Sequence, residues 1–411
     1  MSTTRNLKIA MLSTHSCPMG KLGGKDTGGM SVWVKEVAAI WGKLGHSVDV
    51  YTRIKDLKDT HIVEIGNNAR LIHLPAGKIG EISKLSLFDY LPDFADNVEN
   101  FRKENGLQYD LVLSHYWLSG QAGRILQMHW NVPHIVMFHT LGVMKNTLIV
   151  GEPEPELRLE TEKSLTHGCC YIIAATPQEK RALVKHYGAI PENVFVIPCG
   201  VNMEKFRPVN KMIARQHIGF DGDKLVVFIG RIEALKGIDQ LIKALPLLPK
   251  DKDVRLLIAG GDEYSRPEID RLKALAGTLG IANRVSFPGL IKQEQLLYYY
   301  SAADVCVSPS YYESFGLTPL ESLACGTPVV ATDVGAARDI IRDEAAGYVV
   351  PDNAPRVLAD KIELVLARPN NAATAEQIRK SITGFNWENT ARASLNICRK
   401  AVARYSAPVP S

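Results

Sequence analysis

Short apolar runs rich in β-branched residues alternate along the whole chain with longer segments of helical periodicity. The runs fall at 8–14, 47–53, 71–74, 110–115, 134–139, 171–176 and 194–198, then at 224–230, 255–260, 285–288, 304–309, 329–332 and 348–350. Helical patterns such as 177–188 and 238–248 lie between most of them. Nearly continuous apolar strands suit parallel sheets covered on both faces, and strand–helix alternation predicts a doubly wound α/β fold. The series breaks near 197–209, where "IPCGVNMEKFRPVN" carries a glycine and two prolines. The chain of 411 residues therefore reads as two Rossmann-like domains of about 200 residues each. They span 1–205 and 206–385 and face one another across a cleft, with ligands at the carboxyl ends of the strands.

Charge excludes some partners. The formal net charge is +4 and no run of four Lys or Arg occurs, so nucleic acid is not an expected partner. No stretch of 18 apolar residues is present and the N-terminus lacks a secretory pattern, so neither a membrane span nor export is expected. Seven scattered cysteines without metal spacing predict buried free thiols and a cytoplasmic protein. A peripheral membrane contact and a homodimer stay open.

Six segments carry candidate chemistry. "PMGKLGGKDTGGMSVWVKEVA" follows the first strand with five glycines between Gly20 and Gly29 and opens a helix. Its backbone can approach an anion closely, or it is a flexible surface loop. The spacing is not G-x-G-x-x-G, so a dinucleotide dehydrogenase is not indicated. "GRIEALKG" places Arg231 and Lys236 at a strand end, where two cations suit a diphosphate, though such residues are commonly just solvated. His139 in "FHTLGVMKN" ends a strand at the cleft, as a proton carrier, a hydrogen-bond donor or a satisfied half-buried ring. His115 and Tyr116 in "SHYWLSG" end another. Arg158 in "EPEPELRLETEK" reads on its own as part of a salt-bridged helix face.

The sixth segment is "YYESFGLTPLE". Glu313 and Glu321 have seven residues between them, with a turn at 311–315 and a helix expected from Gly316 onward. N–H groups of Gly316, Leu317 and Thr318 are placed to meet a phosphate. A hydrolytic carboxylate pair needs ~5–9.5 Å between carboxyl groups, whereas eight helical residues span ~12 Å. The two glutamates suit opposite ends of one elongated ligand better than acid/base work.

These segments, with "ACGTPVVATDVGA", resemble family 4 glycosyltransferases of the retaining GT-B type over nearly the whole chain. The resemblance implies a nucleotide-sugar donor, UDP-linked, lying mostly on the second domain. Glu321 would take the ribose hydroxyls and Glu313 a sugar hydroxyl. Arg231, Lys236 and the backbone of Phe315, Gly316, Leu317 and Thr318 would hold the diphosphate. His139 would touch the sugar, Gly28 and Gly29 the phosphates, and Leu290 and Ile291 the base. No tightly bound cofactor and no obligatory metal are implied. A last helix, 386–411, is expected to return to the first domain.

"DTGGMSVWV", "SHYWLSGQAG", "HTLGVMKN" and "EPEPELR" are similar to the D-inositol 3-phosphate glycosyltransferases of mycothiol biosynthesis, then to sucrose-phosphate synthases. By that likeness Lys84, Tyr116, Thr140 and Arg158 would hold an acceptor phosphate, which moves Arg158 from helix surface to binding site. Ser31 stands where those enzymes have Asn. The expected reaction is retaining transfer of a glucose- or N-acetylglucosamine-type unit to a phosphorylated polyol or sugar. The alternatives are transfer to fructose 6-phosphate, a lipid- or polysaccharide-directed transferase, and a sugar-nucleotide binder without activity.

Overall fold

The structure is a computed structural model that describes residues 5–21, 26–148, 150–249, 253–369 and 371–406. Gly23 and Gly24 of the glycine-rich segment lie outside the described residues.

The first sheet contains β1 (Lys8–Leu12), β2 (Ser47–Arg53), β3 (Ile62–Gly66), β4 (Ala69–Leu74), β5 (Leu111–His115), β6 (His134–Met137), β7 (Tyr171–Ala174) and β8 (Val194–Val196). Its order is β3-β4-β2-β1-β5-β6-β7-β8. Only β3 runs antiparallel, against β4. The second sheet contains β9 (Lys224–Ile229), β10 (Val254–Ala259), β11 (Val285–Gly289), β12 (Val305–Ser308), β13 (Val329–Thr332) and β14 (Gly347–Val350). Its order is β11-β10-β9-β12-β13-β14, all parallel.

Central strands are buried along their length, as apolar runs covered by helices on both faces require. In each sheet the strand order reverses once, between β1 and β5 and between β9 and β12. Loops diverge at such a point and leave a crevice at the carboxyl ends of the strands. The segments that follow these four strands all carry expected site residues: Gly28 and Gly29, Tyr116 at the start of its helix, Arg231, and Glu313.

The sheets are joined through apolar packing. One buried cluster runs from Ile9, Trp33 and Trp41 through Cys199 and Val201 to Val227, Leu320 and Trp387. The helix Trp387–Ser406 lies against Gly29–Lys43, and the Trp41 indole N–H donates to the Ala391 carbonyl at 2.7 Å. Thr390 Oγ1 donates to the Pro198 carbonyl at 2.8 Å. The seven cysteines are free thiols. Four are buried as expected, but Cys17, Cys169 and Cys170 are only half-buried.

Candidate active site

Between the two sheets lies a cleft of about 330 Å³. Its second-sheet wall starts at the end of β9. Gly230 leads into Arg231, which is 41% exposed and whose Nη2 is 3.0 Å from Glu233 Oε1. The turn then tightens at Gly237, with φ +62°, where a Cβ would sit 2.2 Å from the Pro309 carbonyl oxygen. That close approach holds Lys236 beside the end of β12, and Lys236 Nζ is 2.6 Å from Glu313 Oε1. Ser310 Oγ donates to the same oxygen at 2.8 Å.

The helix after β12 begins at Leu317 and ends at Ala324, one residue later than the expected start at Gly316. Gly316 is its cap residue, at φ 93° and ψ 77°, a conformation that costs a side-chain-bearing residue strain. No side chain caps this end, so its first N–H groups are left for other partners. Glu321, in the second turn, accepts from the Tyr300 hydroxyl at 2.8 Å. Burial pushes the Glu321 carboxyl up to about 7, opposed by the Tyr300 bond and by Lys205. Leu290 and Ile291, after β11, line the same end of the cleft with Gln293.

The first-sheet wall is built on two strand ends with unusual backbone. Tyr116, following β5, has φ 77°, and His139, just past β6, has φ 61°. A large residue in the left-handed region stores strain that surrounding packing must hold, and such strain concentrates at functional sites. His115 Nδ1 is 2.8 Å from His139 Nε2, and the Trp33 ring packs on both imidazoles. Burial lowers the His139 pKa to about 3. His139 is therefore neutral at ordinary pH, suited to hydrogen bonding rather than to carrying a proton as an acid.

Of the residues expected to hold an acceptor phosphate, Lys84, Tyr116 and Thr140 line the cleft. Lys84 leads the helix Lys84–Asp89, capped by the Ser83 side chain. Its Nζ sits 3.4 Å from Asp26 Oδ1 and 5.7 Å from the Tyr116 ring centre. Arg158 lies one layer deeper, 1% exposed, with its guanidinium 4.9 Å from the centre of the same Tyr116 ring. It is held at 2.7 Å by Glu162, which is fully buried, and at 2.9 Å by Glu154. Its Nη2 also donates to the Thr140 carbonyl and hydroxyl at 2.9 and 3.0 Å. The salt-bridged reading of Arg158 thus describes its contacts in this structure. Ser31 is buried outside the cleft lining, with its Oγ 2.7 Å from Ser16 Oγ.

His15, Asp26, Lys145 and Tyr312 also line the cleft and were not among the expected residues. Asp26 faces Lys55 at 3.2 Å as well as Lys84, and these cations together with His15 hold its carboxyl below the usual range against the opposing effect of burial. Lys145 Nζ is 2.7 Å from Glu154. Lys145 and Tyr312 sit inside "HTLGVMKN" and "YYESFGLTPLE", so their segments were visible while their individual contacts were not. Across the cleft, the Leu141 N–H donates to the Tyr312 hydroxyl at 3.3 Å. A Cβ on Gly29 would lie 3.4 Å from Leu317 Cδ1, which sets the glycine-rich loop against the start of the Leu317 helix.

Comparison with known proteins agrees with this architecture. Residues 27–205 match the model described as Glycosyltransferase Family 4, and residues 210–382 match Glycosyl transferases group 1. A D-inositol 3-phosphate glycosyltransferase of Xylanimonas cellulosilytica is 35% identical, over 98% of this chain and 99% of that protein. The chain belongs to the GT-B glycosyltransferases of these families, enzymes that transfer hexose units. A sucrose-phosphate synthase from Thermosynechococcus elongatus superposes with a TM-score of 0.90 at 33% identity, covering 97% of this glycosyltransferase and all of that chain (100%). Anabaena HepE in complex with UDP-glucose shares the fold, with a TM-score of 0.74 at 19% identity, over 96% of this chain and 100% of its own. Among the described residues no helix is long and apolar enough to cross a membrane.

Proposed function

We propose that this glycosyltransferase moves a hexosyl unit, of the glucose or N-acetylglucosamine type, from a UDP-sugar to a phosphorylated polyol such as inositol 3-phosphate, with retention at the anomeric carbon. The observation that carries the reading is the division of the cleft. One wall holds Arg231, Lys236 and an uncapped helix start around Gly316, all suited to a diphosphate. The facing wall holds Lys84, Tyr116 and Thr140, a cation and two hydroxyls suited to a second, separate phosphate. UDP-glucose in HepE supports the donor, and the name of the Xylanimonas relative supports the acceptor.

In this reading Glu321 accepts from the ribose, Glu313 from a sugar hydroxyl, and Leu290 and Ile291 border the base. Gly28 and Gly29 approach the phosphates, with Phe315, Leu317 and Thr318 on the opposite side. The bond from the anomeric carbon to the diphosphate oxygen breaks as the acceptor oxygen bonds to that carbon on the same face. The acceptor proton passes to the departing diphosphate. Negative charge growing there is stabilised by Arg231, Lys236 and the helix start, each such donor contributing ~3–4 kcal/mol in enzymes of other kinds. Arg158 supports Thr140 from behind and, through the Tyr116 ring, the rest of the phosphate pocket. The enzyme acts in the cytoplasm, without a metal requirement.

A second reading, transfer to fructose 6-phosphate, is favoured by the sucrose-phosphate synthase superposition. The test common to both is Lys84→Ala. It should raise KM for a phosphorylated acceptor at least about tenfold while leaving KM for UDP-glucose unchanged. Equal KM effects on donor and acceptor would refute the acceptor pocket.

A further inference from the structure

The pair His115 and His139 fixes more than a position. His115 is fully buried at the end of β5. Its Nδ1 meets His139 Nε2 at 2.8 Å, while its Nε2 is sealed from water without a partner. Burial lowers the pKa of both rings, so each is neutral and carries one N–H. Two arrangements satisfy the shared bond. If His139 Nε2–H donates, the His115 proton must sit on Nε2, a buried donor with no acceptor. If His115 Nδ1–H donates, Nε2 of His115 keeps only a bare lone pair. Buried orphaned N–H groups are rarer and costlier than under-used acceptors. The Trp33 indole N–H is also buried without a partner, and its ring centre lies 4.8 Å from that of His115. A lone pair on His115 is therefore the better neighbour for Trp33 than a second orphaned donor.

We infer that His115 is a positioning residue that holds His139 in the tautomer protonated on Nδ1, so that His139 presents an N–H donor to the cleft. On the donor-site reading above, that N–H meets a hydroxyl of the transferred sugar. A His139 protonated on Nε2 would instead spend its only proton on His115 and offer the sugar an acceptor. The inference on the tautomer concerns the free protein, while its use in catalysis rests on the proposed function.

Long-range proton–nitrogen correlation spectra of the full chain labelled with nitrogen-15 histidine read the tautomer directly, with His139 assigned by loss of its signals in His139→Gln. The expected spectrum is that of a neutral ring protonated on Nδ1, and a ring protonated on Nε2 would overturn the inference without any reference to activity. His115→Asn, whose amide nitrogen can replace Nδ1, should keep this tautomer and release UDP from UDP-glucose within about threefold of wild type. His115→Phe should lose the tautomer and slow UDP release about tenfold with UDP affinity unchanged. Retention of both tautomer and rate in His115→Phe would also overturn it. A confirmed tautomer with normal UDP release in His139→Gln would uphold the positioning by His115 and refute the donor-site role of His139.

Discussion

Lys236 Nζ lies 2.6 Å from Glu313 Oε1, so the cation proposed for the diphosphate and the carboxylate proposed for the sugar neutralise one another in the free enzyme. The side chains are 15% and 19% exposed, so the pair is partly shielded from water. On the proposed donor site, binding separates them, exchanging one ion pair for a lysine–phosphate contact and a carboxylate–hydroxyl bond. Lys236→Ala should weaken UDP binding and lower kcat/KM by ~10²–10³. Glu313→Gln should leave UDP affinity equal or tighter while transfer still falls. Calorimetric titration with UDP beside steady-state rates separates these effects. A Lys236→Ala enzyme within a few-fold of wild type would disprove the diphosphate assignment.

Arg158 and Glu162 form a buried pair at 2.7 Å, and Glu162 also accepts from the Gly142 N–H and the Tyr187 hydroxyl. Removing the guanidinium leaves a buried carboxylate without its cation. Arg158→Ala should therefore lose ~3–5 kcal/mol of stability, read from urea unfolding at neutral pH. An unchanged unfolding midpoint would show that the pair does not hold this wall together.

The carboxyl of Glu321 gives a pH dependence of known sign. Its folded pKa of about 7 lies above the 4.5 of an unperturbed glutamate, with burial as the cause. The native state thus keeps a proton that the unfolded chain gives up first. The stability this contributes is fully present below about pH 4.5 and is lost as pH rises through about 7. Relative to Glu321→Gln, the wild-type Tm should fall between those limits and run parallel above them. A difference in Tm that stays flat from pH 4.5 to 8 would contradict the burial of this group.

Tyr312 links the two domains through one hydrogen bond from the Leu141 N–H. Closure of a split site commonly governs the rate of such enzymes. Tyr312→Phe should lower kcat/KM for UDP-glucose by about three- to tenfold, the value of one neutral hydrogen bond. Small-angle scattering with UDP should show a less closed average shape in the variant than in wild type.

Much of this architecture was legible because burial on both sheet faces leaves a strong imprint. β1, β5, β9 and β12 each read as an apolar run, and the glycine, His115, arginine and glutamate signals lie at or just past their carboxyl ends. β3 was missed because it is an edge strand. Ile62–Gly66 is exposed or half-buried throughout, so no face of it demands apolar residues. The residues proposed for the donor were readable as contiguous motifs whose local turn geometry brings them to the cleft. The acceptor side was harder. Asp26 meets Lys55 and Lys84 only through the fold, and the left-handed backbone of Tyr116 and His139 is dictated by surrounding packing, not by residue type. The depth of Arg158 behind Tyr116 likewise depends on Glu162 one helical turn away and on Thr140 from another loop.

Product analysis with UDP-glucose and UDP-N-acetylglucosamine against inositol 3-phosphate, fructose 6-phosphate, and the unphosphorylated forms of both decides which sugar is moved and onto what. Mass spectrometry reads the transfer and the anomeric proton coupling reads the stereochemistry. Retaining transfer to a phosphate-bearing acceptor yields an α-linked product with the phosphorylated acceptor and little or none with its unphosphorylated form. Equal transfer to unphosphorylated acceptors, or a β-linked product, would contradict it.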